Sequence, residues 1–396
     1  MSRNEESAAN REMAFLLRAV AAVTASPHGA PAKPDGVLDW PALSRLARWH
    51  RCEALLNEAL SRTPDTAVPP PHRDALHRAT VGAAARAVHL ERELQQIHRL
   101  FAAAGIPFLL LKGPALAHTV YPLPDLRPYD DLDLLLRPGD VVRAAAALVA
   151  AGYRPLRPMG NADIRHQVRA GWDYGLQAPR QGVMVELCTG VAPRFFAHPP
   201  PEDLWGRAAG VDIAGAAISM PGAADLLVLL AVHGAKHLWS RLIWVADVAR
   251  LLDSHGADDL VGRALPLARR TGLERMLELA LALAGDLAGR PFSGGGKDRA
   301  VIRLAECVRS RWNAGVCTEP SGSDERAFHL RARERLRDRL RYVALLGLTP
   351  SHSDRRWLPL PDPLRGLHYV LRPVRLTLSA VTRCLGSQPP QDGTRQ

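Results

Sequence analysis

The stretch GIPFLLLKGPALAHTVYPLPDLRPYDDLDLLLR, residues 105 to 137, constrains this chain more than any other, because it sets two carboxylates inside an apolar run. Phe108 to Leu111 read as a buried strand whose end is marked by Gly113, and Leu132 to Leu136 read as a second strand. Side chains alternate across a strand, so Asp131 and Asp133 share one face while Leu132 and Leu134 share the other. Two carboxylates side by side against a core repel each other and lose hydration, and a cation relieves both costs. Oxygen-only ligands suit Mg²⁺, which also binds phosphates. Glu186, in the apolar segment Val183 to Cys188, supplies a third carboxylate if its strand neighbours the second, with Val183, Val185 and Leu187 turned to the core. Three such groups hold one or two divalent ions that clamp a nucleoside triphosphate for in-line displacement. The bland alternative makes Asp131 and Asp133 edge-strand gatekeepers and Glu186 a solvated residue, but the flanking runs are too apolar for exposed edges.

Several blocks together resemble the nucleotidyltransferase superfamily of the DNA polymerase beta type, and within it a large uncharacterised bacterial nucleotidyltransferase family. They are Leu109 to Leu116, Tyr121, Arg127 four residues before Asp131, the MVELC strand, and the helical segment Leu226 to Leu252 with its paired His and Trp-Asp pattern. Residues 39 to 60 match the family's helical lead-in, and Leu371 to Leu376 its basic tail. The resemblance implies an α+β fold: a small mixed-sheet nucleotidyltransferase core with a helical N-terminal cap and a C-terminal helical domain. It implies a nucleoside triphosphate, expected to be ATP, bound with Mg²⁺ or Mn²⁺ at Asp131, Asp133 and Glu186, with Lys112, Gly113 and Arg127 at the phosphates. Arg offers phosphate a bidentate fork and Lys a point charge. Two positions depart from the pattern. Gly113-Pro114 stands where the superfamily has Gly-Ser, and Cys188 stands where the family has His, which removes a possible general base or orienting group.

The 396 residues, 47% of them hydrophobic, can bury sizeable cores in two or three domains. The expected divisions are residues 1–104 for the cap, 105–220 for the core, 221–384 for the helical domain, and a disordered tail at 385–396. Five scattered cysteines with no C-x-x-C spacing argue against a disulfide framework or a zinc site. No apolar run is long enough to span a bilayer and the N-terminus is polar, so a cytoplasmic protein without a membrane partner is expected. The net charge of +11, mostly Arg, is compatible with nucleic acid but does not require it.

Apolar spacing predicts helices over Met13 to Val23, Trp40 to Leu60 and Asp74 to Ala104, a Pro-rich break at 64–71, and a core of order β-α-β-β with its helix at Gly139 to Ala151 and the next strand from Gly152. His50 reads as a structural residue. His233 and His237 lie one helical turn apart with Lys236 beside them; the missing Glu of H-E-x-x-H argues against a zinc site, and the face reads either as nucleotide-facing, as the resemblance implies, or as a set of structural polar contacts. Asp247 is expected to pair with Arg241 or Lys236, and Arg326 to Leu346 to form one basic, solvated helix. The reading is nucleotidyl transfer to an unknown acceptor with release of pyrophosphate, the acceptor being a protein, a peptide natural product, an RNA end or a small molecule. The alternatives are kinase-like phosphoryl transfer from the same site, or a catalytically inactive nucleotide-binding or protein-binding module.

Overall fold

A computed structural model describes residues 3–25, 36–62, 68–180, 182–197, 202–295, 298–350, 354 and 357–384. The tail expected at 385–396 lies outside them. Helices α1 (Arg3–Ala25), α2 (Trp40–Trp49), α3 (Glu53–Ser61) and α4 (Pro70–Ala103) lead into strand β1 (Phe108–Leu110). The single helix expected over 40–60 is two. Asp39 caps α2 by accepting from Ala42 N at 2.9 Å, and the chain turns at Arg51, whose φ is 57°. The break has a structural use: Leu242 N donates to His50 Nδ1 at 3.1 Å and Ile243 N to His50 O at 3.3 Å, so His50 satisfies the first N–H groups of a distant helix. Burial, helped by Arg241, pushes His50 down to about 3, so the ring stays neutral and able to accept.

The remaining elements of the sheet region are α5 (Pro114–Val120), β2 (Asp131–Leu136), α6 (Val141–Ala150), β3 (Arg154–Pro155), α7 (Asn161–Arg169), β4 (Tyr174–Gln177) and β5 (Met184–Cys188). The sheet runs β1-β2-β5-β4-β3, with β2 and β5 parallel and every other pair antiparallel. The α+β class expected from the sequence holds. Helix α7 and strand β4 add to the β-α-β-β order read from the sequence. A short helix α8 (Asp203–Gly206) and a hairpin of β6 (Ala209–Ile213) and β7 (Ala216–Met220) then lead to helices α9 (Ala223–Lys236), α10 (Leu242–His255), α11 (Ala257–Thr271), α12 (Glu274–Ala288) and α13 (Arg299–Asn313). The basic helix expected over 326–346 is also two: α14 (Gly322–Arg331) and α15 (Leu336–Leu348), interrupted where buried Arg333 turns inward to Phe196 O and stacks on Tyr342. A C-terminal helix, His368–Cys384, packs on α15.

Leu132, Leu134, Val185 and Leu187 point into an apolar core shared with α1, α4 and α9 to α12. The opposite sheet face is divided: Asp131, Asp133 and Glu186 occupy one end, and Leu135 and Cys188 continue into a small cluster with Leu109, Leu111, Leu204 and Leu229. No helix among the described residues is long and apolar enough to cross a membrane.

Candidate active site

Parallel pairing of β2 with β5 sets Asp133 directly opposite Glu186, with Asp131 two residues back on the same face. Oxygen atoms of all three carboxylates lie within 4.8 Å of one another. Lys112, on the residue after Leu111, whose N–H bonds Asp133 O at 3.1 Å, places its Nζ 2.9 Å from Asp133 Oδ2. That oxygen is buried and, although ion-paired, lacks an aligned hydrogen-bond donor. Burial and the Asp131 charge raise Asp133 against the pull of Lys112. Burial and the charges of Asp133, Asp173 and Asp131 push Glu186 up to about 8. Burial opposes the Lys112 charge, but Asp133, Asp131 and Glu186 outweigh it and hold its proton on more tightly. An oxygen-only donor set with a poorly satisfied buried oxygen and mutual repulsion suits a hard divalent cation such as Mg²⁺ or Mn²⁺.

A cleft of about 1690 Å³ opens over this cluster, lined among others by Lys112, Gly113, Asp131, Glu186, His233, Lys236 and His237. The α9 residues singled out by the helical pattern and the carboxylates of the sheet therefore meet in one space. Gly113 has φ 59° and ψ −119°, and a Cβ there would stand 3.4 Å from Asp131 O, so only glycine carries the chain past the acidic strand without strain. His233 and His237 pack edge to face at 5.0 Å, and both rings lean on Trp244. Burial, then the positive charge of Lys112, drives His233 well down; burial, then Lys236, pushes His237 down to about 3. Both are neutral rings at pH 7, weak as bases. Lys236 makes no side-chain hydrogen bond or ion pair among the described residues, so its ammonium is available to a ligand.

Arg127 departs from expectation. Its fork closes on Asp247, with Nε 3.0 Å from Oδ1 and Nη2 2.9 Å from Oδ2, and Tyr121 donates to the same Oδ1 at 2.8 Å. Asp247 is 0% exposed and Arg127 6%. The bidentate grip expected on phosphate is thus made on a buried carboxylate, and the partner of Asp247 is neither Arg241 nor Lys236. Arg241 instead stacks on Trp49 at 3.6 Å and bridges Glu319 at 2.8 Å. A buried carboxylate of this kind needs a cation of fixed geometry, and Arg127, presented from the loop before β2, supplies it.

One feature of the site lies outside the sequence reading. Asp173, just before β4, lines the cleft, and burial together with Asp133 and Asp131 pushes it up to about 6 against Lys236 and Lys112. No sequence signal marked it, because the strand it precedes is short and contains Gly175. Cys188 is buried with its Sγ 3.4 Å from Leu134 O, and burial with the nearby carboxylates raises its thiol, so it packs rather than reacts.

The raised carboxylates have a measurable consequence. Between its ordinary value of 4.5 and about 8, Glu186 holds a proton in the folded chain that it releases on unfolding. Metal-free stability therefore declines as pH rises through that window. The buried histidines act oppositely: His237, ordinarily 6.5 and here about 3, costs stability as pH falls below 6.5. Thermal melts in chelator are expected to weaken from about pH 6.5 to pH 8. Glu186→Gln or added Mn²⁺ should largely remove that decline, and an unchanged slope in both would separate Glu186 from the cluster.

A mixed sheet carrying three convergent carboxylates on adjacent parallel strands, beside a cleft, fits a nucleotidyltransferase-like α+β fold. A family model described as an uncharacterised nucleotidyltransferase matches residues 37–289, well over half of the chain, and the protein belongs to that family and is a transferase. No curated protein and no solved structure matches it.

Proposed function

We propose that the protein is a divalent-metal-dependent nucleotidyltransferase that moves a nucleoside monophosphate from a triphosphate, ATP being the expected donor, to an acceptor, releasing pyrophosphate. The observation that carries this is the Asp131, Asp133 and Glu186 cluster, whose buried Asp133 Oδ2 is ion-paired with Lys112, beside a cleft that Gly113 lets the chain border closely. A cation bound there supplies charge stabilisation to the attacking and leaving oxygens. Asp131, Asp133 and Glu186 would hold it. Lys112, beside Asp133, and Lys236, on α9, would present positive charge to the phosphates. Arg127 keeps its bond to Asp247 and fixes the loop that presents Asp131. The neutral rings of His233 and His237, packed edge to face and tilted against Trp244, form an aromatic wall against which the nucleotide can lie.

The cleft volume of about 1690 Å³ exceeds the roughly 300–1,000 Å³ of single small-molecule pockets, which supports a donor and an acceptor bound together. Incubation with Mn²⁺ and α-labelled or γ-labelled ATP tests the reaction. Labelled AMP on an acceptor, or labelled AMP with pyrophosphate, is the expected product; transfer of the γ-label alone would make the protein a phosphotransferase, and no binding of Mn²⁺ and ATP by calorimetry would sink the reading. Lys236→Ala is expected to weaken ATP by about tenfold and AMP little, because the lost charge acts on the distal phosphates. Equal weakening would place Lys236 elsewhere.

A further inference from the structure

Beside the three convergent carboxylates lies Asp173, which lines the cleft and is outside their cluster. Asp173 is held by its backbone: Gln167 Nε2 donates to Asp173 O at 2.5 Å, Trp172 N to Gln167 O at 3.2 Å, and Arg194 N to Ala170 O at 3.0 Å. Gly171, at φ 81°, lies so near the 193–194 backbone that a Cβ would stand 2.8 Å from Arg194 N, so the loop is packed firmly in place. One residue on, Tyr174 pairs with Leu187, which sets Asp173 beside the end of β5, past Glu186. Its side chain lines the cleft but makes no hydrogen bond or ion pair among the described residues, and it is not one of the three groups that converge within 4.8 Å. Asp173 is thus positioned, within electrostatic reach of Lys236 and the triad, and without a hydrogen-bond or ion-pair partner among the described residues.

We propose that Asp173 is the general base that receives the proton of the attacking acceptor hydroxyl. The proposal rests on the nucleotidyl-transfer reading. In the step, the acceptor oxygen forms a bond to the α-phosphorus and the bond from that phosphorus to the α,β-bridging oxygen breaks, its electron pair leaving on pyrophosphate. The hydroxyl proton passes to the Asp173 carboxylate and from there to water. The other candidates for this proton are engaged. Asp131, Asp133 and Glu186 are the metal ligands, the His233 and His237 rings are poor bases in this environment, and the Cys188 thiol is buried under Leu134 O. The acceptor then enters on the side of Trp172, whose ring leans on Phe195 at 5.6 Å, both of them lining the cleft. The groups that act on Asp173 are Lys236 and Lys112, which favour its ionised form, and Asp133 and Asp131, which oppose it; with a cation on the triad the ionised form gains at neutral pH.

The test uses Mn²⁺, α-labelled ATP and two simple alcohols, ethanol and the more acidic trifluoroethanol, as acceptors. Asp173→Asn is expected to bind Mn²⁺ and ATP within twofold of wild type by calorimetry, while transfer to ethanol falls about 10²- to 10⁴-fold, the usual scale of a general base. Transfer to trifluoroethanol, which needs less help to lose its proton, should fall less. The acid limb of the wild-type rate profile should vanish in the variant. An active wild type whose Asp173→Asn variant transfers to ethanol within twofold, with the acid limb intact, overturns the assignment of Asp173 alone. A variant that loses ATP or Mn²⁺ binding overturns it too, by making Asp173 a binding residue. A wild type that binds Mn²⁺ and ATP yet forms neither AMP nor pyrophosphate overturns the nucleotidyl-transfer reading and the base with it.

Discussion

Asp133→Asn and Asp131→Asn are each expected to lower nucleotidyl transfer by at least about 10²–10³-fold, because each removes a ligand charge from the group that stabilises the transferring phosphorus. Asp133 should be the more sensitive, since it faces Glu186 across the strand pair and carries the buried Oδ2. Neither change should unfold the chain. Loss of one negative charge relieves the repulsion that raises Glu186, so the metal-free variant should melt at or above the wild-type temperature. Lys112 limits that gain, because in Asp133→Asn its ammonium loses its closest partner. Transfer assays with α-labelled ATP and parallel melts in chelator decide it; a variant active at the wild-type rate removes Asp131 or Asp133 from the metal site.

Asp247→Ala is expected to be the most destabilising single change near the site, by about 3–5 kcal/mol, the scale for removing one partner of a buried ion pair. Arg127 would be left with an uncompensated buried charge, and the Tyr121 hydroxyl with no acceptor. Since Arg127 lies on the loop that delivers Asp131, activity should fall together with stability. Denaturant unfolding separates this from phosphate binding: Arg127→Met combined with Asp247→Leu removes both charges and should recover part of the loss, whereas a phosphate ligand would show its defect in ATP affinity with stability nearly intact. A midpoint unchanged in Asp247→Ala would mean that the pair is not buried in solution.

The carboxylates were legible because their signal is local. Asp-Leu-Asp in an apolar run has few physical solutions, and Glu186 in a second run of the same kind completes a cluster that could hold a cation. Lys112 and Gly113 stood out as the abrupt end of an apolar strand, and the structure sets Lys112 against Asp133. What depended on distance was not. Arg127 and Asp247 are 120 residues apart, and either could have been matched with several opposite charges on pattern alone. The break at His50 serves a helix that begins 192 residues later, so no window around Trp49 and Arg51 contains its reason. Asp173 escaped because a four-residue strand containing glycine has too little periodicity to announce itself, and an aspartate before it looks like loop. The split of the basic segment after Arg331 follows from Arg333 finding carbonyls and rings elsewhere in the fold.

The direct opposition of Asp133 and Glu186 on parallel strands makes the backbone a ruler. Neighbouring strands stand about 4.8 Å apart because peptide groups bond across them at that spacing, whatever the side chains are. The separation of the two carboxylate-bearing residues is therefore written in main-chain geometry and not in the packing around them. Side chains farther along the same face, Cys188 and Leu135 among them, can change size or chemistry while the ligands keep their places. The walls of such a centre can be remodelled while its carboxylates stay in register.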